Sequence, residues 1–272
     1  MTWTAPNVDK TSPAVRFDGV PVPSRGTITT AEPASARVAH GIAETQRAAD
    51  PPVLIPDYLR DIYSWAYLNP VSQKFFDHSW VVSAILWGQY HRLQRAVFAE
   101  LEPHQHVLQV ACAYGDFSIA LAQQVGRDGR LEVIDVAPNQ VASCRRKLAQ
   151  FAHADARLAD AARPGGGPYD VICSFFLLHE LPDDYKRKVV DALLASLVPG
   201  GKVVFIDYHK PHWAHPLKGV MSLVFDTLEP FAKALWRNEI WRFASATEGI
   251  DWRKETYFGG LYQKVVAYKP KR

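Results

Sequence analysis

Between residues 106 and 208 the chain alternates two hydrophobic patterns. Short, almost continuous apolar runs stand at HVLQVA (106–111), LEVIDV (131–136), ARLADA (156–161), YDVICSFFL (169–177) and KVVFIDY (202–208). Runs of this length read as strands covered on both faces. Between them FSIALAQQVG, PNQVASCRRKLAQF and DDYKRKVVDALLASLV carry apolar residues at helical spacing. Such alternation predicts a parallel sheet with right-handed crossovers. Pro199-Gly200-Gly201 reads as a turn after the third of these helices. Two last runs, RKETYFGG and LYQKVVAYK, read as an antiparallel hairpin at the sheet edge. The expected fold is therefore α/β, a seven-stranded, mostly parallel sheet with an antiparallel edge hairpin.

The pattern changes upstream. Residues 1–50 are rich in Pro, Ala, Thr and Ser, with prolines breaking any period, and read as a disordered leader. Residues 51–102 hold aromatic helical patterns, YLRDIYSWAYLNP and DHSWVVSAILWGQYHRLQRAVFAEL, and read as an N-terminal helical cap. Asp77 and Ser79 are candidate caps for the second of these helices. Tyr63, Trp65 and Trp87 belong either to the core of this cap or to the roof of a site. Residues 103–272 then form the sheet domain, with a lid segment at 210–245. Within it LKGVMSLVFDTLEPFAKALW is apolar at helical spacing, and Pro230 splits the run. Two readings stand. It is a lid over a hydrophobic tunnel at a bilayer surface, with Lys218, Lys233 and Arg237 meeting anionic lipid. Otherwise it is an amphipathic helix packed on the sheet.

Composition adds limits. A net charge of +3 on 272 residues gives no ground for nucleic-acid binding. Cys112, Cys144 and Cys173 are far apart and form no CxxC, which argues against a disulfide framework and fits a reducing compartment. No stretch has the length and apolarity of a spanning helix. The opening MTWTAPNVDK lacks a secretory layout, and its continuation is too acidic for a transit peptide.

The chemistry concentrates at QVACAYG (109–115), between the first strand and its helix. That junction normally carries an acid followed by spaced glycines. Here Gln109 holds the acid slot, Ala111 and Ala113 hold two glycine slots, and Gly115 alone remains. The free N–H groups of the following helix can receive a negative ligand group. Tyr114 and Asp116 flank Gly115, edge the pocket and are, with His179, the candidate catalytic residues, Asp116 otherwise capping the helix. Asp135 ends the second strand, where a carboxylate accepts from two ribose hydroxyls. Asp160 follows the third strand, within reach of an adenine amino group. Together with the edge hairpin, these features resemble the Rossmann-like fold of class I S-adenosylmethionine-dependent methyltransferases. The resemblance implies that Val136, Ala161 and Phe175 join the cofactor set.

Longer phrases carry a narrower likeness. YGDFS, VIDVAP, FFLLHELPDDYKR, DYHKPH, HPLK, SLVFDTLEPFAKALWR and WRKETYFGGLYQKVV resemble the rhodoquinone biosynthesis family known as RquA, over most of residues 58–270. That resemblance implies conversion of ubiquinone to rhodoquinone, a ring methoxy group being exchanged for an amino group. It implies S-adenosylmethionine as amino donor and a divalent metal, manganese by preference. The lipophilic substrate in turn implies access from a membrane surface, a cytoplasmic enzyme lying peripherally on the inner membrane, and no obligate protein partner. The alternative is a conventional methyltransferase acting on a quinone or small molecule.

The heptapeptide suits amination in one respect. A carboxylate near the cofactor's ammonium would hold it protonated, and an ammonium has no lone pair with which to attack a quinone. Gln109 is neutral, so the site tolerates a free amine; sequence drift is the rival explanation. For the metal, imidazole and carboxylate at the carboxyl ends of the last two parallel strands are the candidates. Asp116, His179 and His209 are the expected ligands, with Asp207 and His212 as alternates. His179 is otherwise a general base for the amine proton.

Overall fold

A computed structural model describes residues 78–271. The leader and the first part of the cap, including Tyr63, Trp65 and Asp77, lie outside the described residues. The sheet has seven strands in the order β3-β2-β1-β4-β5-β7-β6. β1 (His106–Val110), β2 (Arg130–Asp135), β3 (Ala154–Leu158), β4 (Tyr169–Phe175) and β5 (Leu197–Tyr208) run parallel. β6 (Asp251–Tyr257) and β7 (Tyr262–Tyr268) form the antiparallel hairpin, with β7 against β5. The expected sheet and edge hairpin are both present.

Helices cover both faces. α1 (Ser79–Ile85) and α2 (Tyr90–Phe98) precede the sheet, and α3 (Phe117–Val125), α4 (Pro138–Leu148) and α5 (Asp183–Ala195) are the crossovers. Side-chain alternation along β1 divides the core. Val107 packs in one cluster with Leu93, Phe117, Leu121 and Leu148. Leu108 and Val110 pack in the other with Val189, Val190 and Leu193. Each such buried side chain contributes about 1.5–3 kcal/mol relative to exposure.

Two local expectations are corrected. The Pro199-Gly200-Gly201 turn is instead part of β5, at an irregularity in its pairing with β4. A Cβ on Gly201 would sit 3.0 Å from the carbonyl oxygens of Tyr169 and Asp170, so the chain passes only without a side chain. Ser79 does not cap its helix; His78 stands at the cap position, with no side-chain cap bond.

Beyond β5, α6 (Lys218–Thr227) and α7 (Ala234–Arg237) flank Pro230, as the proline predicts. Met221, Phe225 and Leu235 are buried, so this segment packs on the core. Lys186 of α5 also holds it. This lysine is fully buried and donates to the carbonyl oxygens of Leu181 at 2.6 Å and Phe231 at 3.1 Å. Among the described residues no helix is long and apolar enough to cross a membrane.

Candidate active site

Strand order reverses between β1 and β4, the place where an open α/β sheet forms its ligand crevice. A cavity of about 390 Å³ lies at the carboxyl ends of these strands. Of the residues singled out in the sequence, Ala111, Ala113, Tyr114, Asp135, Val136, Asp160, Ala161, Phe175 and His179 line it. Gln109, Gly115, Asp116, His209, Asp207 and His212 do not.

The turn after β1 explains its own composition. Ala111 sits at φ 69°, a left-handed conformation that costs an alanine about 1–2 kcal/mol. Gln109 secures it: this buried side chain donates from Nε2 to the Ala111 carbonyl at 2.9 Å. Gln109 Nε2 therefore braces the turn, while its Oε1 is buried with no hydrogen-bond partner among the described residues. Gly115 is needed at φ 78°, where a Cβ would come 2.9 Å from the Tyr90 hydroxyl. Lys147 Nζ donates to the Gly115 carbonyl at 2.8 Å. Asp116 precedes α3 but makes no side-chain cap. Its carboxylate accepts instead from Tyr90 Oη at 2.9 Å and Gln94 Nε2 at 3.1 Å, tying α2 to the turn.

At the same end, Asp135 accepts from the Cys112 amide and the Ala137 amide, each at 2.8 Å. Burial pushes its carboxyl up to about 6, against these two N–H groups. Asp160 accepts from the Ala162 amide at 2.8 Å and from the Tyr185 hydroxyl. Tyr185 also lines the cavity and was missed in the sequence, although it stands in the first turn of α5. Two carboxylates at strand ends, a narrow turn and the start of a nine-residue helix fit the ribose, adenine and methionyl parts of adenosylmethionine.

The other end is built around His179. Its Nδ1–H donates to Asp207 Oδ1 at 2.9 Å, and both groups are buried. Asp207 is saturated by further N–H donors, Leu178 and Tyr208 at 2.8 Å and His179 at 3.3 Å. Nε2 of His179 lies 3.9 Å from a carboxylate oxygen of Glu180 and 3.9 Å from one of Glu229. Burial opposes the imidazolium, but Asp207, then Glu229 and Glu180, outweigh it and raise His179 to about 9. It is protonated at neutral pH, so the resting group is an acid rather than the expected base. Phe176 separates the two ends at φ 57°, strained for an aromatic residue. Rings of Phe175, His179, Tyr208 and Tyr262 pack around it with centroids 5.1–5.9 Å away.

The expected metal ligands do not converge. Asp116 is engaged by α2, and Asp207 is consumed in orienting His179. His209 turns away, with Nδ1 on the Gly260 carbonyl at 2.9 Å and Nε2 3.4 Å from Lys254 Nζ. His212 is exposed. Among the described residues no group of three His, Cys, Asp or Glu side chains is placed to hold a metal ion.

Residues 107–201 match the methyltransferase domain family model. The chain carries the class I S-adenosylmethionine-dependent methyltransferase fold. The demethylmenaquinone methyltransferase of Bacillus mycoides is 25% identical over 151 residues, which are 53% of this chain and 63% of that protein. The chain thus spans less than two thirds of that relative. Nodulation protein S of Sinorhizobium fredii is 32% identical over 133 residues, 46% of this chain and 60% of that protein. The crystal structure of human N-acetylserotonin methyltransferase in complex with S-adenosylmethionine superposes with a TM-score of 0.55 at 14% identity, over 79% of this chain and 60% of that one. At that identity the likeness speaks for the fold. The domain match supports a methyltransferase-like transferase that binds S-adenosylmethionine.

Proposed function

We propose that the chain transfers a group from S-adenosylmethionine to a quinone, and that it replaces a methoxy group of ubiquinone by an amino group to give rhodoquinone. The form of the cavity supports the acceptor class. Past the adenosyl end its walls are Val82, Ile85, Leu86, Phe176, Val224 and Leu228, while its polar groups gather at His179, Glu180, Tyr208 and Glu229. Apolar walls with a few convergent polar groups suit a greasy ring bearing carbonyl oxygens. Ile85 and Leu228 line this cavity yet are 47% and 50% exposed, so its apolar side opens to the outside. Val220, Leu223 and Trp87 are exposed as well. That rim supports delivery of the quinone from a membrane surface.

When bound, S-adenosylmethionine offers both an electrophilic methyl group and an α-amine nucleophile. The protein's part is the same for the ring. Asp207 takes the Nδ1–H of the His179 imidazolium, leaving Nε2–H for the cavity, where it donates to a carbonyl oxygen as negative charge builds there. Phe176 and Tyr208 bound the slot beside it. The amino reading rests on the likeness to the rhodoquinone biosynthesis phrases. Methyl transfer is the second reading, favoured by relatives whose name states methylation of demethylmenaquinone.

The test is to incubate the protein with ubiquinone and S-adenosylmethionine labelled with nitrogen-15 at the α-amine, with and without added manganese. A quinone that has gained the label and lost a methoxy group is expected. A methylated quinone together with S-adenosylhomocysteine would establish the second reading instead.

A further inference from the structure

One buried cation has no part in the proposed transfer, yet it touches both chain segments that build the acceptor end. Lys186, near the start of α5, is fully buried. Its ammonium has three N–H groups and spends each on a different acceptor. The Leu181 carbonyl lies at 2.6 Å, a carboxylate oxygen of Asp183 at 3.0 Å and the Phe231 carbonyl at 3.1 Å. The rings of Phe231 and Phe243 stand with centroids 5.9 and 5.7 Å from Nζ. Burial lowers its pKa, and Asp183 of α5 and then Asp207 of β5 oppose that fall. The two carbonyls belong to distant parts of the chain. Leu181 closes the short turn Leu178–Glu180, which brings His179 and Glu180 to the cavity; its amide returns to the Leu178 carbonyl at 3.2 Å. Phe231 lies between α6 and α7, just past Glu229, whose carbonyl accepts from the Ala232 amide at 3.0 Å. Pro230, between them, has no N–H with which to tie this turn down. Glu180 and Glu229 each place a carboxylate oxygen 3.9 Å from His179 Nε2.

We propose that Lys186 is a positioning residue for the transfer: by holding the Leu181 and Phe231 carbonyls on one ammonium, it sets Glu229 against His179. An apolar side chain could fill the same space without the desolvation cost of a buried charge, but it could not bond two carbonyls and so fix their separation. The three rotatable donors of an ammonium suit that task. Lys186 itself lines no part of the cavity, so it acts through the residues that do. The inference rests on the reading of His179 as proton donor to the acceptor, and not on which group is transferred. Asp207, Glu229 and Glu180 together keep the proton on His179. With the clamp gone, the turn carries Glu229 away and His179 gives up its proton at lower pH.

The experiment compares the native full chain with Lys186→Met, Glu229→Gln and the double variant, using ubiquinone and S-adenosylmethionine. Lys186→Met is similar in length and uncharged. It is expected to lower turnover about ten- to a hundredfold, the scale of a small misplacement of reacting groups, with S-adenosylmethionine affinity held within about twofold. The high-pH limb of its rate should lie below the native one. Glu229→Gln should move that limb in the same direction, and adding Lys186→Met to it should change little more, as for two residues acting through one contact. Hydrogen exchange should quicken at residues 229–234 of Lys186→Met and stay native in β2. Additive effects of the two changes on turnover, or native exchange at 229–234, would overturn the proposal. Lys186→Gln, which keeps two N–H donors, takes the place of Lys186→Met if that variant does not fold. Failure of both to fold would make the lysine a requirement of the fold and overturn the proposal as well. If the native protein acts on no quinone, or His179→Asn keeps native turnover, the acceptor reading fails on its own, and exchange at 229–234 still decides whether Lys186 holds the turn.

Discussion

The two ends of the cavity are made differently. The end assigned to the adenosyl group uses backbone amides and carboxylates that follow three successive strands, β1 to β3, each contributing a residue or two beside its own strand. The acceptor end uses His179 after β4, Asp207 and Tyr208 at the end of β5, and Glu229 from the segment between α6 and α7. One end is local and repetitive; the other is assembled from distant parts of the chain and holds a buried charge cluster. Binding and chemistry should therefore separate under mutation.

The sharpest way to break that division is His179→Asn. Turnover should fall by about 10²–10⁴-fold, the usual contribution of a positioned proton donor, while cofactor affinity stays within about twofold. Isothermal titration beside a turnover assay checks both. The native protein should also lose turnover as pH rises through about 9, where His179 gives up its proton. The linked stability has the same sign. A group raised from 6.5 to about 9 on folding stabilises fully below 6.5, and that contribution is lost as pH climbs through 9. A pH-independent rate between 7 and 10 would remove His179 from the chemistry.

At the opposite end, Asp135→Ala should weaken S-adenosylmethionine binding by about ten- to a hundredfold, the scale of one or two lost hydrogen bonds to a charged group. Its carboxyl titrates at about 6, so native affinity should decline as pH drops through that value. Should Asp135→Ala instead spare affinity and abolish turnover, the two ends would be assigned the wrong way round.

The smallest effect is expected at Ala111→Gly. Relief of the left-handed alanine and the larger entropy of an unfolded glycine oppose one another, leaving a gain of up to about 1 kcal/mol in denaturant unfolding. A loss of more than that would mean that the alanine methyl packs usefully in the turn.

These ends also differ in how well the sequence displayed them. Asp135, Asp160 and the heptapeptide were legible because each lies a fixed, short distance from an apolar strand run. The hairpin was legible for the same reason. Tyr185 and Glu229 carry no such signal, since they stand on a helix and a loop away from any strand end, while Glu180 and Tyr208 follow or close a strand run without a residue type that sets them apart. Residue type misled at His209 and Asp116: imidazole and carboxylate suggest ligation, but nothing in the chain says that Gly260 and Tyr90 have already claimed them. Gln109 had a second role that the sequence did not display, since its Nε2 also holds the carbonyl of its own turn.

The grip of Tyr90 and Gln94 on Asp116 has a practical consequence for anyone cutting this protein down. The matched family region begins at residue 107, inside β1, and a fragment trimmed to it would keep every strand-end carboxylate of the adenosyl end. It would nevertheless shed the two side chains that anchor the first residue past Gly115, leaving the mouth of α3 tethered on one side only. A fragment that keeps this turn braced on both sides starts a helix earlier than the sheet does.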